Sequence, residues 1–415
     1  MKILSEASRR ISETIHTLCA IGPRHSGSEG AAAAADYIQG CFSRSGLMVE
    51  EQPFACTAWT FTSARLSIDG KAFKDGYIPH LYSPPVNVEG QALHAASVEE
   101  LESLSMKDRI LILSGKLADT AYFPSSFPYF TMEDQARVIR ALKAGQPAAL
   151  IAIAPEFTRY GIDRCLPPEP RFEDPDLGIP GLTLGAEFAP RLLAPEPPRL
   201  ALGIESRLRP GQAANIVART RESKLHRLLF CAHYDTKPFT DGAYDNASGL
   251  AVLLELSHRL PSLRPELGFE FVAFAAEESV PMGDIEYLRR LGLRIVPYGS
   301  QAPELSSSPL GNIDLACNID GVGQILGSPT FCVFNDADDR LKAAFERARG
   351  PDWSLVDPWP ESNHTTFASH LLPTAAIGWQ GGVTIHHSRA DKPEWIDPEA
   401  LEDIVGFCEK LVRTL

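Results

Sequence analysis

The stretch LLFCAHYDTKPFTDGAYDNASGLAVLL, residues 228–254, opens as an apolar run that ends in His233 and Asp235. It then crosses a polar loop containing Gly242 and Asp245 and enters an apolar, helix-like segment at Asn246 or Ser248. An imidazole and two carboxylates therefore stand where a strand hands over to a helix. In open α/β sheets ligands bind at the carboxyl ends of the strands, so the chemistry is expected here.

The same alternation continues on either side. ANIVART before the stretch reads as a strand, Gly249 to Leu260 as a helix, FEFVAFAA as a strand and DIEYLRRL as a helix. ACNID, TFCVFN and TAAIGW are further strand candidates, and Pro398 to Thr414 is a closing helix. Strands alternating with helices at this spacing predict an α/β fold with a mostly parallel, mixed sheet sandwiched by helices. At the N-terminus Ile11, Ile15 and Leu18 share one helix face, and Ser28 is placed to cap a second helix through AAAAADYIQGCF. From Phe61 the texture changes to short β-like runs such as RILILSGK, a helix over Met132 to Ala144, the strand Ala148 to Ala154, a proline- and acid-rich loop from Pro155 to Pro180, and IPGLTLGAEFAPRLL. Residues 55–210 are thus predicted to be an inserted, smaller β-rich α/β domain within a discontinuous domain made of 1–54 and 211–415.

The length of 415 residues is ample for two or three domains. A net charge of -14 argues against nucleic-acid or anionic-membrane partners, because both need a basic face. Ser5, Glu6, Arg9 and Arg10 interrupt the start before any apolar run reaches signal-peptide length, and no later segment reaches membrane-spanning length, so a cytoplasmic protein is expected. The eight cysteines are scattered without a CxxC pair and are expected to be reduced thiols. The oligomeric state is left open.

Polar residues that end strands in the second half are His233 and Asp235, then Glu277 and Glu278, then Asp320, then His386 and His387. Any one of them alone is an ordinary cap or loop charge. Four strand ends of a parallel sheet share one edge, and converging carboxylates repel one another unless a cation holds them. Imidazole and carboxylate ligands without cysteine suit zinc, with cobalt or manganese as alternatives. A pair of ions needs a shared ligand, and Asp245 is the natural bridge because Gly242 and its turn let the backbone bring it to the crevice. His233 is then expected to bind one ion while Asp235 orients its ring. If the strand continues through Glu277 and Glu278 they point to opposite faces, one toward the metals and the other available as a general base. The residues by themselves do not choose within that pair, nor between His386 and His387.

At these positions the chain resembles the di-zinc exopeptidase family that includes bacterial leucyl aminopeptidases, glutamate carboxypeptidase and glutaminyl cyclase. The matching words are HYDT at 233–236, GAYDNASG at 242–249, AAEE at 275–278, NIDGVG at 318–323 and HHSRAD at 386–391, with GPRHSGSEG near the start. The resemblance implies two Zn2+, one held by His233 and Asp320, the other by Glu278 and His387, bridged by Asp245, with Glu277 as the base. His387 is preferred over His386 because it precedes Ser388 and lies four residues before Asp391. The insertion resembles a protease-associated domain in its order of elements.

The chain departs from the family at Ser279-Val-Pro-Met-Gly283-Asp284, which keeps only the second glycine of a Gly-Leu-x-Gly-Ser pattern. It departs again at Asn363, which stands where the family has Asp before His364, and in a generous interval around QAPELSSSPLG. The expected function is that of a zinc-dependent metallo-exopeptidase acting on peptides, most simply an aminopeptidase, with Asp284 among the acids available to a substrate ammonium. A carboxypeptidase holding a substrate carboxylate on Arg289, Arg290, Arg294 or Arg389, a glutaminyl cyclase, and a non-catalytic binding protein on the same fold are the alternatives.

Overall fold

The computed structural model describes residues 4–155, 169–221, 226–359 and 362–414. Part of the proline- and acid-rich loop, with Cys165, lies outside the described residues, as does Glu361. The described residues divide into two compact units, Met1–Cys56 with Gly211–Leu415, and Thr57–Pro210.

Helix α1 (Glu6–Ile21) buries Ile11, Ile15 and Leu18, and the Ser5 hydroxyl caps it by accepting the Ser8 N–H. Helix α2 (Glu29–Arg44) starts at Ser28, whose hydroxyl accepts the Ala31 N–H at 3.0 Å. Strand β1 runs from Met48 to Ile68, well ahead of Phe61. The acidic EEQP opening hid its first half, because proline and adjacent charges read as loop.

In the unit Thr57–Pro210 the elements are β2 (Lys71–Phe73), β3 (Tyr77–Pro79), β4 (Val86–Ala95), α3 (Val98–Ser103), β5 (Ile110–Leu113), α4 (Glu133–Gly145), β6 (Ala149–Ile153), β7 (Gly181–Leu184), α5 (Ala189–Leu192) and the first part of β8 (Arg199–Arg219). Strands β4, β5, β6 and β7 pair in parallel. Successive residues of β5 and β6 face opposite ways: Leu111, Leu113 and Leu150 pack with Leu142 of α4, while Ile110, Ile112 and Ile151 pack with Leu66 and Leu202.

The other unit continues with β9 (Arg227–His233), α6 (Gly249–Leu263), β10 (Gly268–Phe274), α7 (Met282–Arg290), β11 (Ile313–Ile319), β12 (Ser328–Phe334), α8 (Arg340–Ala348), β13 (Ser354–Leu355), α9 (His364–Ala368), β14 (Thr374–Gln380) and α10 (Pro398–Thr414). Strands β10, β9, β11 and β14 lie side by side in parallel, flanked by antiparallel β8 and β12. Leu228, Phe230 and Ala232 of β9 join the core under α1, α2, α6 and α10, while Leu229 and Cys231 join that of Tyr287, Leu288 and Phe367 on the opposite face. Both faces are covered, which is why these strands read as unbroken apolar runs. Among the described residues no helix is long and apolar enough to cross a membrane.

Candidate metal centre

The parallel register sets the carboxyl ends of the central strands level, with Phe274 beside His233 and Ile319 beside Ile377. His233 is the last residue of β9 and Asp320 follows the last residue of β11. Asp245 comes from the turn Ala243–Ser248 leading into α6, and His387 from the segment after β14. In that turn Gly242 has φ +57°, and a Cβ there would lie 2.3 Å from Thr236 Cγ2 and 2.5 Å from the Asp245 carbonyl oxygen. Only glycine fits, and the loop needs it to deliver Asp245.

Two groups of side chains converge, His233 with Asp245 and Asp320, and Asp245 with Glu278 and His387. His233 Nε2 is 3.2 Å from Asp245 Oδ1 and 3.2 Å from Asp320 Oδ1. His387 Nε2 is 3.1 Å from Asp245 Oδ2 and 3.0 Å from Glu278 Oε2. Ligands about 2.0–2.1 Å from a tetrahedral zinc stand about 3.3 Å apart, so both groups have the spacing that such an ion requires. Asp245 offers one oxygen to each group. His386 stands beside His387 with ring centroids 4.9 Å apart, and it is His387 that meets the carboxylates.

Electrostatics follow from crowding acids and imidazoles in a buried place. Burial alone pushes Asp245 up, but hydrogen bonds from His233 and His387 outweigh it and hold its carboxyl well below the ordinary range. Burial likewise opposes a charged His233, yet Asp320 and Glu277 hold its imidazole well above its ordinary value. Glu277 is pushed well above the carboxylate range by burial, with Asp320 and Glu278 adding to it, and Glu278 is raised by burial and by Asp245. A cation would relieve this repulsion.

The two glutamates differ from the strand-alternation expectation. Strand β10 stops at Phe274, and Ala276 has φ +62°, so Glu277 and Glu278 sit on a turn. That turn is pinned by Asp235, whose carboxylate oxygens accept the Glu277 N–H at 3.0 Å and the Glu278 N–H at 3.2 Å. The His233 ring is met at Nδ1 by the Asp235 carbonyl oxygen, 3.1 Å away, with the carboxylate at 3.7 Å. Asp235 thus touches the imidazole through its backbone and the glutamate turn through its side chain. Lys237 donates through its backbone N–H to Glu278 Oε1 at 3.3 Å, and its ammonium meets the Glu278 carbonyl oxygen.

Several supporting residues were not assigned a role from sequence. The fully buried Arg24 donates to the carbonyls of Tyr234 (2.9 Å), Asp241 (2.8 Å) and Gly242 (3.0 Å), tying down the loop between His233 and Asp245. Asp391 accepts the N–H groups of Tyr244 and Asp245 at 2.7 and 3.1 Å, and burial raises its carboxyl to about 7. Ser362 donates to Asp320 Oδ2 at 2.6 Å. The words GPR and HHSRAD marked the first two, but neither spacing nor periodicity reports a contact made across 146 to 218 residues of chain.

Asp284 is not available to a substrate ammonium. It is 1% exposed, and its oxygens accept from Asn363 Nδ2 at 2.9 Å and from the Thr366 hydroxyl. Burial raises its carboxyl to about 7.

The chain is similar to aminopeptidase YwaD of Bacillus subtilis (strain 168), with 28% identity over 182 residues, 41% of this chain and 37% of that protein. The match thus spans little more than a third of the relative's length. The zinc aminopeptidase BSAP from Bacillus subtilis superposes with a TM-score of 0.75 at 20% identity, over 99% of this chain and 96% of that one. The aminopeptidase from Aneurinibacillus sp. strain AM-1 superposes with a TM-score of 0.72 at 18% identity, over 98% and 93%. These two share the fold, a central mostly parallel sheet between helices. Residues 215–412 match the model of Peptidase family M28.

Proposed function

We propose that this chain is a two-zinc aminopeptidase that removes N-terminal residues from peptides. The observation that carries the reading is the division of Asp245, with Oδ1 3.2 Å from His233 and Oδ2 3.1 Å from His387. A carboxylate so placed would be the residue shared by two ions that together activate a water and polarise a carbonyl. His233 and Asp320 would complete one site, and Glu278 and His387 the other. The names of the aminopeptidases to which the chain is similar support the choice of reaction and of zinc.

Zinc in this centre would polarise the scissile carbonyl and bring the pKa of the attacking water to about 7. Glu277 takes the proton at its carboxylate and returns it to the leaving amine, a role worth roughly 10²–10⁴-fold in rate. Asp235 and Arg24 hold the two ligand loops in place. Arg289 and Arg290, two of the cations a carboxypeptidase would need, are tied to Glu286 at 2.7 Å each, which favours the amino-terminal reading. In this reading residues 55–210 are a protease-associated-like domain inserted in the peptidase domain.

The test pairs zinc analysis of the purified chain with hydrolysis of an aminoacyl-anilide and of a peptide ending in glutamate. Bound zinc and turnover of the anilide are expected. Turnover of the C-terminal substrate alone, or activity unchanged in Glu277→Gln, overturns the reading.

A further inference from the structure

Asp320 reaches His233 with one oxygen, and its other oxygen is held by Ser362. Ser362 Oγ in turn accepts from Asn318 Nδ2 at 2.8 Å, so the hydroxyl proton is directed to the carboxylate. The serine backbone sits at φ +149°, a conformation that residues with side chains rarely adopt and that persists only where the surroundings over-determine it. What holds it is downstream. The Thr365 N–H donates to the Ser362 carbonyl at 3.0 Å and the Thr366 N–H to the Asn363 carbonyl at 3.2 Å, making a tight turn into α9. Both side-chain anchors of that turn, Asn363 and Thr366, end on the two oxygens of Asp284. Asp284 belongs to α7, the helix that follows the Glu277–Glu278 turn.

Two of the three departures from the family pattern therefore meet in one contact. The acid missing at 363 is present at 284, and the amide at 363 is the donor that an acid at 284 needs. We propose that Asp284 is a positioning residue for Asp320. Through Asn363 and Thr366 it fixes the turn that carries Ser362, and Ser362 aims the Asp320 carboxylate at the His233 group. The inference rests on the two-zinc reading above.

The experiment measures two successive zinc dissociation constants by chelator competition, on the full chain and on Asp284→Ala, Ser362→Ala, the double variant, and the reciprocal exchange Asp284→Asn with Asn363→Asp. Asp284→Ala and Ser362→Ala should each weaken one constant roughly 10- to 100-fold and leave the other within about threefold. The double variant should be no weaker than Ser362→Ala alone, because both act on the same carboxylate. The reciprocal exchange restores a donor facing an acid and should recover the wild-type constants within about threefold. Both constants unchanged in the two single variants, additive losses in the double variant, or an exchanged pair that folds but does not recover would each overturn the proposal while leaving two-zinc binding intact. Wild-type chain that binds no zinc overturns the functional reading and this inference together. If Asp284→Ala does not fold, as judged by circular dichroism, Ser362→Ala and the exchange decide.

Discussion

Asp245 is the residue on which the site turns, and its two oxygens make a stoichiometric prediction. Asp245→Ala should lose both zinc ions, whereas His233→Ala should lose mainly one, as counted by metal analysis after gel filtration. Asp284 makes a different prediction, in pH. Burial sets its carboxyl at about 7 in the folded chain, against about 3.9 unfolded. The folded state therefore binds the extra proton between those values. The stability so gained is complete below about pH 4 and is lost as pH rises through 7. Between pH 4.5 and 8 the difference in urea-unfolding free energy should move in favour of Asp284→Asn, by roughly 2–4 kcal/mol. At this scale the five sequence words marked the side chains that converge, with Asp245 common to both groups. They did not reveal that Asp284 faces inward, because a helix's first turn does not state which neighbour will cover it. Nor did they show that Asp235 meets the His233 ring with its backbone and the Glu277–Glu278 turn with its side chain, since backbone groups carry no residue-type signal.

Elements place those residues, and their tolerance is set by close packing. The start of α7 approaches the end of β10 so nearly that a Cβ on Gly283 would lie 2.2 Å from the Ala275 carbonyl oxygen and 2.5 Å from Asn215 Oδ1. Gly283→Ala should push α7 away, disturb the adjoining Glu277–Glu278 turn and lower kcat more than it raises KM. Helix α6 is buried on nearly every side, and Leu253→Ala should cost about 2–5 kcal/mol in denaturant unfolding through the lost transfer energy and the cavity. Helices α1, α2, α4, α6, α7 and α10 and the central strands were legible because a fully buried parallel strand has to be apolar throughout and an amphipathic helix has to repeat at 3.6 residues, whereas α3, α8 and α9 were not read. Strand β1 was only half legible: its burial alternates with many exposed positions, and Pro53 interrupts the pattern that would have announced it.

For the molecule as a whole, the cluster of acids is a source of instability that a bound cation would remove. Any ion that binds the folded chain and not the unfolded one adds about 2.7 kcal/mol at a hundredfold excess over its dissociation constant. Stripping with a chelator should therefore lower the melting temperature, and the drop should reverse on adding zinc in a concentration-dependent way. The α/β architecture followed from texture along the chain, whereas Arg24 joins residues more than 200 positions apart and only the folded chain reveals it. A last consequence belongs to the single carboxylate shared by two groups. In the two-zinc reading, the first ion to arrive would immobilise Asp245 and so meet the ordering entropy that the second would otherwise bear. Loading would then be cooperative: a calorimetric titration of the stripped chain should show a Hill coefficient above one, and Asp245→Asn should flatten it.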